Sequence, residues 1–281
     1  MDERRITRER MVSFGQYLSR EERSRGTVEK YLRDVRQLAA WLGGREVTKE
    51  GLSQWKEVLR DRGWAPTTIN GKLAAVNAFL GFLGWTDCRV KALKLQRRLF
   101  RETGRELKRR EYQRLVETAQ ARGKERLTLL METICATGIR VSEVRYITQE
   151  AARTGRAEIF LKGKVRTILL PGKLRRKLLQ YARKHKIASG ELFLTRSGRP
   201  LSRKQIWAEM KTLCRGAGVE ATKVFPHNLR HLFARRFYEV CRDMAKLADV
   251  LGHASIETTR IYLVSTGAEH ERMLEKLGLV G

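Results

Sequence analysis

The sequence predicts a chain of two domains that is mainly α-helical with one small antiparallel β-sheet. Apolar residues recur at intervals of three and four along most of the chain, which is typical of amphipathic helices. One pair of apolar runs, AEIFL and VRTILLP, flanks a Lys-Gly-Lys turn and indicates a single β-hairpin. A basic segment separates two blocks, and the chain of 281 residues, 42% of them hydrophobic, is long enough for a core in each.

Residues 1–90 predict a bundle of four helices. The apolar period places two of them over 7–20 and 27–43, and Gly43-Gly44 ends the second. The third is expected to begin at Thr48 and the fourth at Pro66, since proline suits the first turn of a helix. The tryptophans of this block are assigned to its core and interfaces, namely Trp41, Trp55, Trp64 and Trp85.

The sequence predicts that residues 91–107 form a basic linker between the two domains. The stretch 91–110 holds nine basic and two acidic side chains. Such a run is typical either of a solvated connector or of a segment that binds phosphates as it crosses a duplex. The cations assigned to DNA contacts are Lys94, Arg97, Arg98 and Arg101.

The sequence predicts that residues 108–265 form a domain of helices and strands and that residues 266–281 form a C-terminal tail. The hairpin follows the third of eight predicted helices, which cover 108–121, 123–136, 141–147, 173–186, 203–216, 227–241, 243–251 and 256–263. A last amphipathic helix is expected over 267–278. A helix this short is marginal alone, so its apolar face is expected to dock, either on its own domain or on a neighbouring protomer.

The net charge of +28, from 59 Lys and Arg against 31 Asp and Glu, works against a compact fold unless a polyanionic partner neutralises it. Nucleic acid is favoured over an anionic membrane surface. The chain has no apolar run of ~18 residues to span a membrane and no apolar segment of a secretion signal. A cytoplasmic, reduced protein is expected, because no CxxC pair occurs among Cys88, Cys135, Cys214 and Cys241.

The stretch ATGIRVSEV, residues 136–144, is the first of three unusual motifs. Gly138 is expected to end a helix and Arg140 to begin the next, where side chains and backbone amides can bind an anion. For this motif taken alone, a capping glycine followed by a surface arginine is the better explanation. Glu143 is expected to orient Arg140 or the helix of the second motif.

The second motif is PHNLRHLFARRF, residues 226–237. His227, Arg230 and His231 fall on one helical face, where they could bind phosphate or form a basic surface. The pair His227 and His231 would suit zinc, but no Glu follows the first histidine and no third ligand is evident. No metal is therefore expected.

The third motif is LGHASIETTRIYL, residues 251–263. Gly252 ends a helix, His253 lies in the turn, and Ser255 can cap the helix that follows. Tyr262 lies near the end of that helix. A single tyrosine in this position is usually a packing residue.

In this order, ATGIRVSE, HNLRH and LGHASIETTRIY closely resemble the tyrosine recombinase (phage integrase) family, over nearly the whole chain. The resemblance implies a SAM-like helical core-binding domain, a basic linker and a mixed α/β catalytic domain. It implies that Tyr262 is the nucleophile and that the other catalytic residues are Arg140, Lys162, His227, Arg230 and His253. Because the turn in KGKVRT is about one residue tighter than the turn in the family's Lys-Gly-Asn-Lys-Glu-Arg, Lys164 remains an alternative to Lys162 as the acid.

The family further implies a site-specific DNA recombinase of a short Xer-like or mobile-element type, which works through a 3′-phosphotyrosyl link and a four-way junction without cofactor, metal or ATP. The implied partners are double-stranded DNA with paired core half-sites and other copies of the chain, in a tetramer joined by the tail. The implied location is the nucleoid of a prokaryotic cytoplasm. A type IB topoisomerase and a non-enzymatic DNA-binding regulator are the alternatives, and the regulator leaves the ordered Arg, Lys, His and Tyr set unexplained.

Overall fold

The computed structural model describes residues 4–95, 103–161, 164–253, 255–260, 262 and 275–277. The chain divides into two compact units, Met1–Arg97 and Arg98–Gly281. Within the described ranges, no helix is long and apolar enough to cross a membrane.

The first unit contains the four predicted helices, at α1 (Arg8–Arg20), α2 (Arg25–Leu42), α3 (Lys49–Asp61) and α4 (Pro66–Phe82). Three begin where a hydroxyl accepts a hydrogen bond from a backbone N–H of the first turn, the capping residues being Thr7, Ser24 and Thr48. Gly43 ends α2 in the left-handed conformation, with φ of 59°. The four predicted helices are therefore confirmed, and every bound that was predicted for them agrees to within about two residues.

One tryptophan of this unit departs from its predicted role. Trp55 is buried in the core, but the side chain of Trp64 is 42% exposed. The ammonium of Lys72 lies 4.7 Å from the centre of the Trp64 ring, and Lys72 also pairs with the buried carboxylate of Asp34 at 3.4 Å. Trp64 therefore lies at the surface of the bundle, where its ring packs on the buried ammonium of Lys72.

The second unit is mixed, as predicted. Apart from short 3-10 turns at Thr103–Arg105 and Ala221–Lys223, its regular elements are α5 (Arg109–Ala121), α6 (Glu125–Thr137), a 3-10 helix (Val141–Tyr146), α7 (Gln149–Thr154), β1 (Arg156–Leu161), β2 (Lys164–Leu169), α8 (Gly172–Lys184), α9 (Arg203–Lys211), α10 (Cys214–Ala217), α11 (Pro226–Cys241), α12 (Met244–Leu251) and α13 (Ile256–Arg260). The predicted hairpin is confirmed: β1 and β2 are antiparallel, with Arg156 opposite Leu169 and Leu161 opposite Lys164. Helix α11 packs against α6, which brings the second motif next to the first.

Three local predictions were wrong. Residues 141–146 form a 3-10 helix because the Glu143 carboxylate accepts from the Arg140 backbone N–H and closes a tight turn. The helix predicted over 203–216 is divided into α9 and α10, where the Thr212 carbonyl accepts instead from the Arg122 guanidinium at 2.7 Å. Helix α7 was missed, since six residues between Thr148 and Gly155 are too few to show a helical period.

Several predicted features lie outside the described residues. These are Lys162, the linker residues Arg97, Arg98 and Arg101, and the tail except for 275–277. Lys94 is described and exposed. In the helix predicted over 256–263, residues 256–260 are helical and Tyr262 lies in a turn.

Candidate active site

Two glycine turns bring the three motifs together. Gly138 follows α6 and Gly252 follows α12, both in the left-handed region with φ of 66° and 62°. A Cβ at Gly138 would overlap the ring of Phe233, and one at Gly252 would overlap the side chain of Arg166. Both positions therefore need glycine for conformation and for space.

Arg140 is held by Glu143 through its backbone and through its side chain. The Glu143 carboxylate accepts from the Arg140 backbone N–H at 2.7 Å and from its Nη1 at 2.8 Å. Arg140 Nη2 also donates to the Gly252 carbonyl at 3.2 Å. Glu143 is 1% exposed and the Arg140 side chain is 40% exposed, so the guanidinium faces outward from a buried counterion.

Arg230 is 1% exposed and forms hydrogen bonds to both glycine turns. Its guanidinium donates to the carbonyl of Gly138, to that of Leu251 at 2.8 Å, and to His253 Nε2 at 2.9 Å. Helix α11 thus fastens the ends of α6 and α12 to each other. Burial lowers the pKa of Arg230, and a hydrogen bond with the Tyr262 side chain opposes that change.

His253 is neutral in this arrangement, and its tautomer follows from its partners. An arginine can only donate, so Nε2 is the acceptor and the ring proton is on Nδ1. Nδ1 then donates to the hydroxyl of the buried Thr259 at 2.8 Å. Burial, followed by the nearby Arg230, Arg140 and Arg166, lowers the pKa of His253 to about 4. As placed here, His253 accepts from Arg230 and has no free N–H for a phosphate.

Tyr262 is buried between α11 and α12, and three histidine rings surround its ring. The ring centres of His231, His253 and His227 lie 4.4, 5.6 and 6.0 Å from that of Tyr262. Partial burial, with Arg230, Arg140 and Arg203 nearby, lowers the pKa of His227. His231 lies on the predicted face with His227 but was not assigned to the site from the sequence.

A pocket of about 670 Å³ lies next to part of this cluster. Four predicted site residues line it, which are Arg140, His227, Arg230 and Tyr262. Helix α9 closes one side with Arg203, Lys204 and the exposed Trp207, none of which the sequence singled out. The available signal was a basic pair directly after the Ser202 cap, with an aromatic residue one turn later.

Arg166 on β2 is a further residue that the sequence reading missed. Its side chain is 13% exposed and its Nη2 donates to Glu143 at 2.8 Å. The signal was the final Arg of KGKVRT, which corresponds to the last position of the family's hairpin pattern. For metals, no three His, Cys, Asp or Glu side chains come together as ligands in the part of the chain that the structure describes.

Two protein-family models match this chain. Residues 105–269 match the phage integrase family, and residues 11–87 match the phage integrase N-terminal SAM-like domain. The chain belongs to the phage integrase family. The resemblance expected from the three motifs is therefore confirmed, and with it the assignment to the tyrosine recombinases.

Named relatives of this phage integrase family member are Xer recombinases. Tyrosine recombinase XerA of Pyrococcus furiosus is 28% identical over 289 residues, covering 100% of this chain and 98% of the relative. Tyrosine recombinase XerD of Brucella suis is 30% identical over 268 residues, covering 85% and 86%.

Solved structures show the same fold. A lambda integrase tetramer bound to a Holliday junction matches with a TM-score of 0.72 at 16% identity, over 90% of this chain and 76% of that one. XerH bound to its difH substrate matches with a TM-score of 0.68 at 19% identity, over 88% and 78%. These matches confirm the predicted fold class of a helical SAM-like domain followed by a mixed catalytic domain.

Proposed function

We propose that this phage integrase family member is a site-specific DNA recombinase that cleaves and rejoins DNA through a 3′-phosphotyrosyl intermediate. The observation that carries the proposal is that Tyr262, Arg140, Arg230 and His227 line one and the same pocket. These are a nucleophile, two permanent cations and a titratable ring, which are the groups that phosphodiester attack requires.

In the cleavage step, the Tyr262 oxygen attacks the scissile phosphorus and the bond from phosphorus to the 5′-oxygen breaks. Negative charge accumulates on the non-bridging oxygens, where Arg140 and Arg230 act as charged donors. The tyrosine hydroxyl loses its proton, and His227 accepts or relays it. Rejoining reverses these bonds, with a 5′-hydroxyl of the partner duplex as the attacking group.

His253 contributes as the third phosphate ligand in this scheme, but only after a local change. Its Nε2 now accepts from Arg230, so donation to phosphate requires protonation or the other tautomer. A phosphate close to Arg140 and Arg230 adds negative charge, which favours the protonated ring. Until then, His253 orients Arg230.

The leaving 5′-oxygen takes its proton from a lysine of the hairpin, Lys162 with Lys164 as the alternative. The energy of the broken ester is kept in the phosphotyrosine, so the scheme needs neither metal nor ATP. Glu143 takes part by holding Arg140 rather than by touching the substrate.

We assign DNA binding to residues 1–90 and to the linker 91–107, catalysis to 108–265, and subunit contacts to the tail 266–281. The SAM-like match, the exposed Lys94 and the net charge support the first assignment. The neighbours described as XerH on difH and as a lambda integrase tetramer on a Holliday junction support a tetramer that holds paired half-sites. Action on DNA implies a cytoplasmic, nucleoid-associated protein.

A suicide duplex with a nick next to the cleavage point tests the proposal, because loss of the short 5′-hydroxyl fragment traps the covalent adduct. The wild type is expected to form an adduct that protease treatment shortens to a peptide. Tyr262→Phe should bind the duplex equally and form none. An adduct with the Phe variant would move the nucleophile elsewhere, with Tyr238 the next candidate.

Two further assays separate the alternatives. A type IB topoisomerase would relax a supercoiled plasmid that lacks a recombination site, whereas a site-specific recombinase is expected to leave it supercoiled. A DNA-binding regulator would form no adduct on any duplex. Wild-type protein that shifts half-site DNA but never becomes linked to it would contradict the enzymatic proposal.

A further inference from the structure

Arg166 fastens the β1–β2 hairpin to the candidate active site from β2, while on β1 the Phe160 carbonyl accepts from the Tyr146 hydroxyl of the 3-10 helix at 2.7 Å. Arg166 lies on β2 opposite Ile159, on the buried face of the hairpin with Ile168. Its Nη2 donates to the Glu143 carboxylate at 2.8 Å, and its Nη1 donates to the Leu251 carbonyl. One guanidinium therefore bridges a strand, the 3-10 helix of the first motif and the end of α12.

Both acceptors of Arg166 also hold the phosphate-binding arginines. Glu143 accepts from Arg140, and the Leu251 carbonyl accepts from Arg230. Gly252 is the point of closest approach, because a side chain at that position would overlap Arg166. The hairpin and the two arginines are therefore held by the same two acceptors, the Glu143 carboxylate and the Leu251 carbonyl.

We infer that Arg166 is a positioning residue, which locks the hairpin onto the Arg140–Glu143 pair and onto the turn before His253. Resting on the proposed function, this means that the leaving-group acid of the hairpin and the phosphate-binding arginines are kept in one register. Arg166 lies four residues after Lys162 and two after Lys164 in the same hairpin. A shift of its strand would displace the acid while Arg140 and Arg230 keep their other partners.

The charge of Arg166 indicates that its contacts do more than hold the hairpin in place. Burial, opposed by Glu143 and reinforced by Arg230 and Arg140, lowers the pKa of Arg166 to about 10. A buried ion pair is commonly replaceable by apolar residues at no loss of stability, so packing alone does not call for a cation here. What an apolar residue could not provide is a forked donor that reaches Glu143 and the Leu251 carbonyl together.

The test measures single-turnover cleavage of two suicide duplexes, one ordinary and one with sulfur as the 5′-bridging atom. A thiolate leaves without a proton, so the sulfur duplex does not need the acid. The variants are Arg166→Gln and Arg166→Met, the second of which leaves no polar atom buried in case the first folds poorly. The matched control is Arg156→Gln, which removes an exposed arginine from the other end of the same hairpin.

We expect the Arg166 variants to cleave the ordinary duplex about 10²-fold more slowly, which is the size of a lost general acid, and the sulfur duplex within several-fold of the wild type. Arg156→Gln should match the wild type on both. Wild-type rates for the Arg166 variants would overturn the inference, as would an equal loss on the two duplexes. Absence of a wild-type adduct on both would instead refute the proposed function.

A double-mutant comparison adds a second readout. Of Lys162→Ala and Lys164→Ala, the variant that the sulfur duplex restores identifies the acid. Combining it with Arg166→Gln should slow cleavage little beyond the lysine variant alone, since both changes remove the same proton transfer. Multiplied losses would show that Arg166 acts apart from the acid and would overturn the inference.

Discussion

Arg140 and Arg230 share one proposed role but differ in burial, so replacing each with alanine should give similar kinetic defects and different stabilities. Arg140 faces outward from Glu143, whereas Arg230 is 1% exposed and holds the ends of two helices. The comparison separates charge stabilisation from support of the fold.

The stability difference can be worked from the hydrogen bonds. Arg230→Ala removes the guanidinium donor from the Gly138 carbonyl and from His253 Nε2, while the Leu251 carbonyl keeps Arg166. At about 1–3 kcal/mol for each buried acceptor, less the relieved repulsion among arginines, unfolding should become easier by about 2–4 kcal/mol. For Arg140→Ala we expect under about 1 kcal/mol, because Glu143 keeps Arg166 and the Arg140 backbone N–H.

Chemical unfolding without DNA measures the stabilities, and adduct formation on saturating suicide duplex measures cleavage. Each variant should cleave about 10²–10³-fold more slowly, as when one oxyanion donor is lost, with a small change in affinity. Equal destabilisation by the two changes would refute the structural role of Arg230. A loss that is mainly in affinity would refute the charge-stabilising role.

Three further predictions concern protonation, the linker and the tail. Burial and the neighbouring arginines lower the pKa of His253 to about 4 in the folded protein from near 6.5 in the unfolded chain, so the free energy of unfolding should fall as the pH drops from 6.5 towards 4. His253→Gln should flatten this dependence in pH-dependent denaturation, and an unchanged curve would contradict it. Replacing Lys94, Arg97, Arg98 and Arg101 with glutamine should reduce the slope of log affinity against log salt by several units in gel shifts, whereas an unchanged slope would mean a solvent-facing linker. Deleting 267–281 should leave single half-site binding intact but abolish cooperative binding to paired half-sites; full cooperativity would exclude docking in trans, and loss of folding would favour docking in cis.

The elements that the sequence predicted well are those with long, regular signals. Helices α1 to α4 carry several turns of apolar period and recognisable caps at Thr7, Ser24 and Thr48. Short elements fared worse, because α7 and the 3-10 helix at Val141–Tyr146 are fixed by side-chain hydrogen bonds rather than by a period.

The residues of the candidate site also differ in how well the sequence predicts them. The motifs reveal Arg140, Arg230 and Tyr262 because they are local in the chain. Arg166 and Trp207 enter the site from β2 and α9, so only tertiary packing brings them near the motifs. The neutral state of His253 likewise depends on Arg230, Arg140 and Arg166, which lie far from it in the chain and come near it only through tertiary packing.

The hydrogen-bond acceptors of the site arginines explain how the folded site can carry excess positive charge. Arg140 and Arg166 share one carboxylate, that of Glu143. The other acceptors of these two arginines and of Arg230 include the carbonyls of Gly138, Leu251 and Gly252. These carbonyls lie at the C-terminal ends of α6 and α12, where the helix dipole is negative. Dipoles stabilise buried cations without cancelling their charge, whereas further carboxylates would form ion pairs and compete with the substrate. The arrangement therefore leaves a positive field for a phosphodiester, and it requires that α6 and α12 both end at a left-handed glycine.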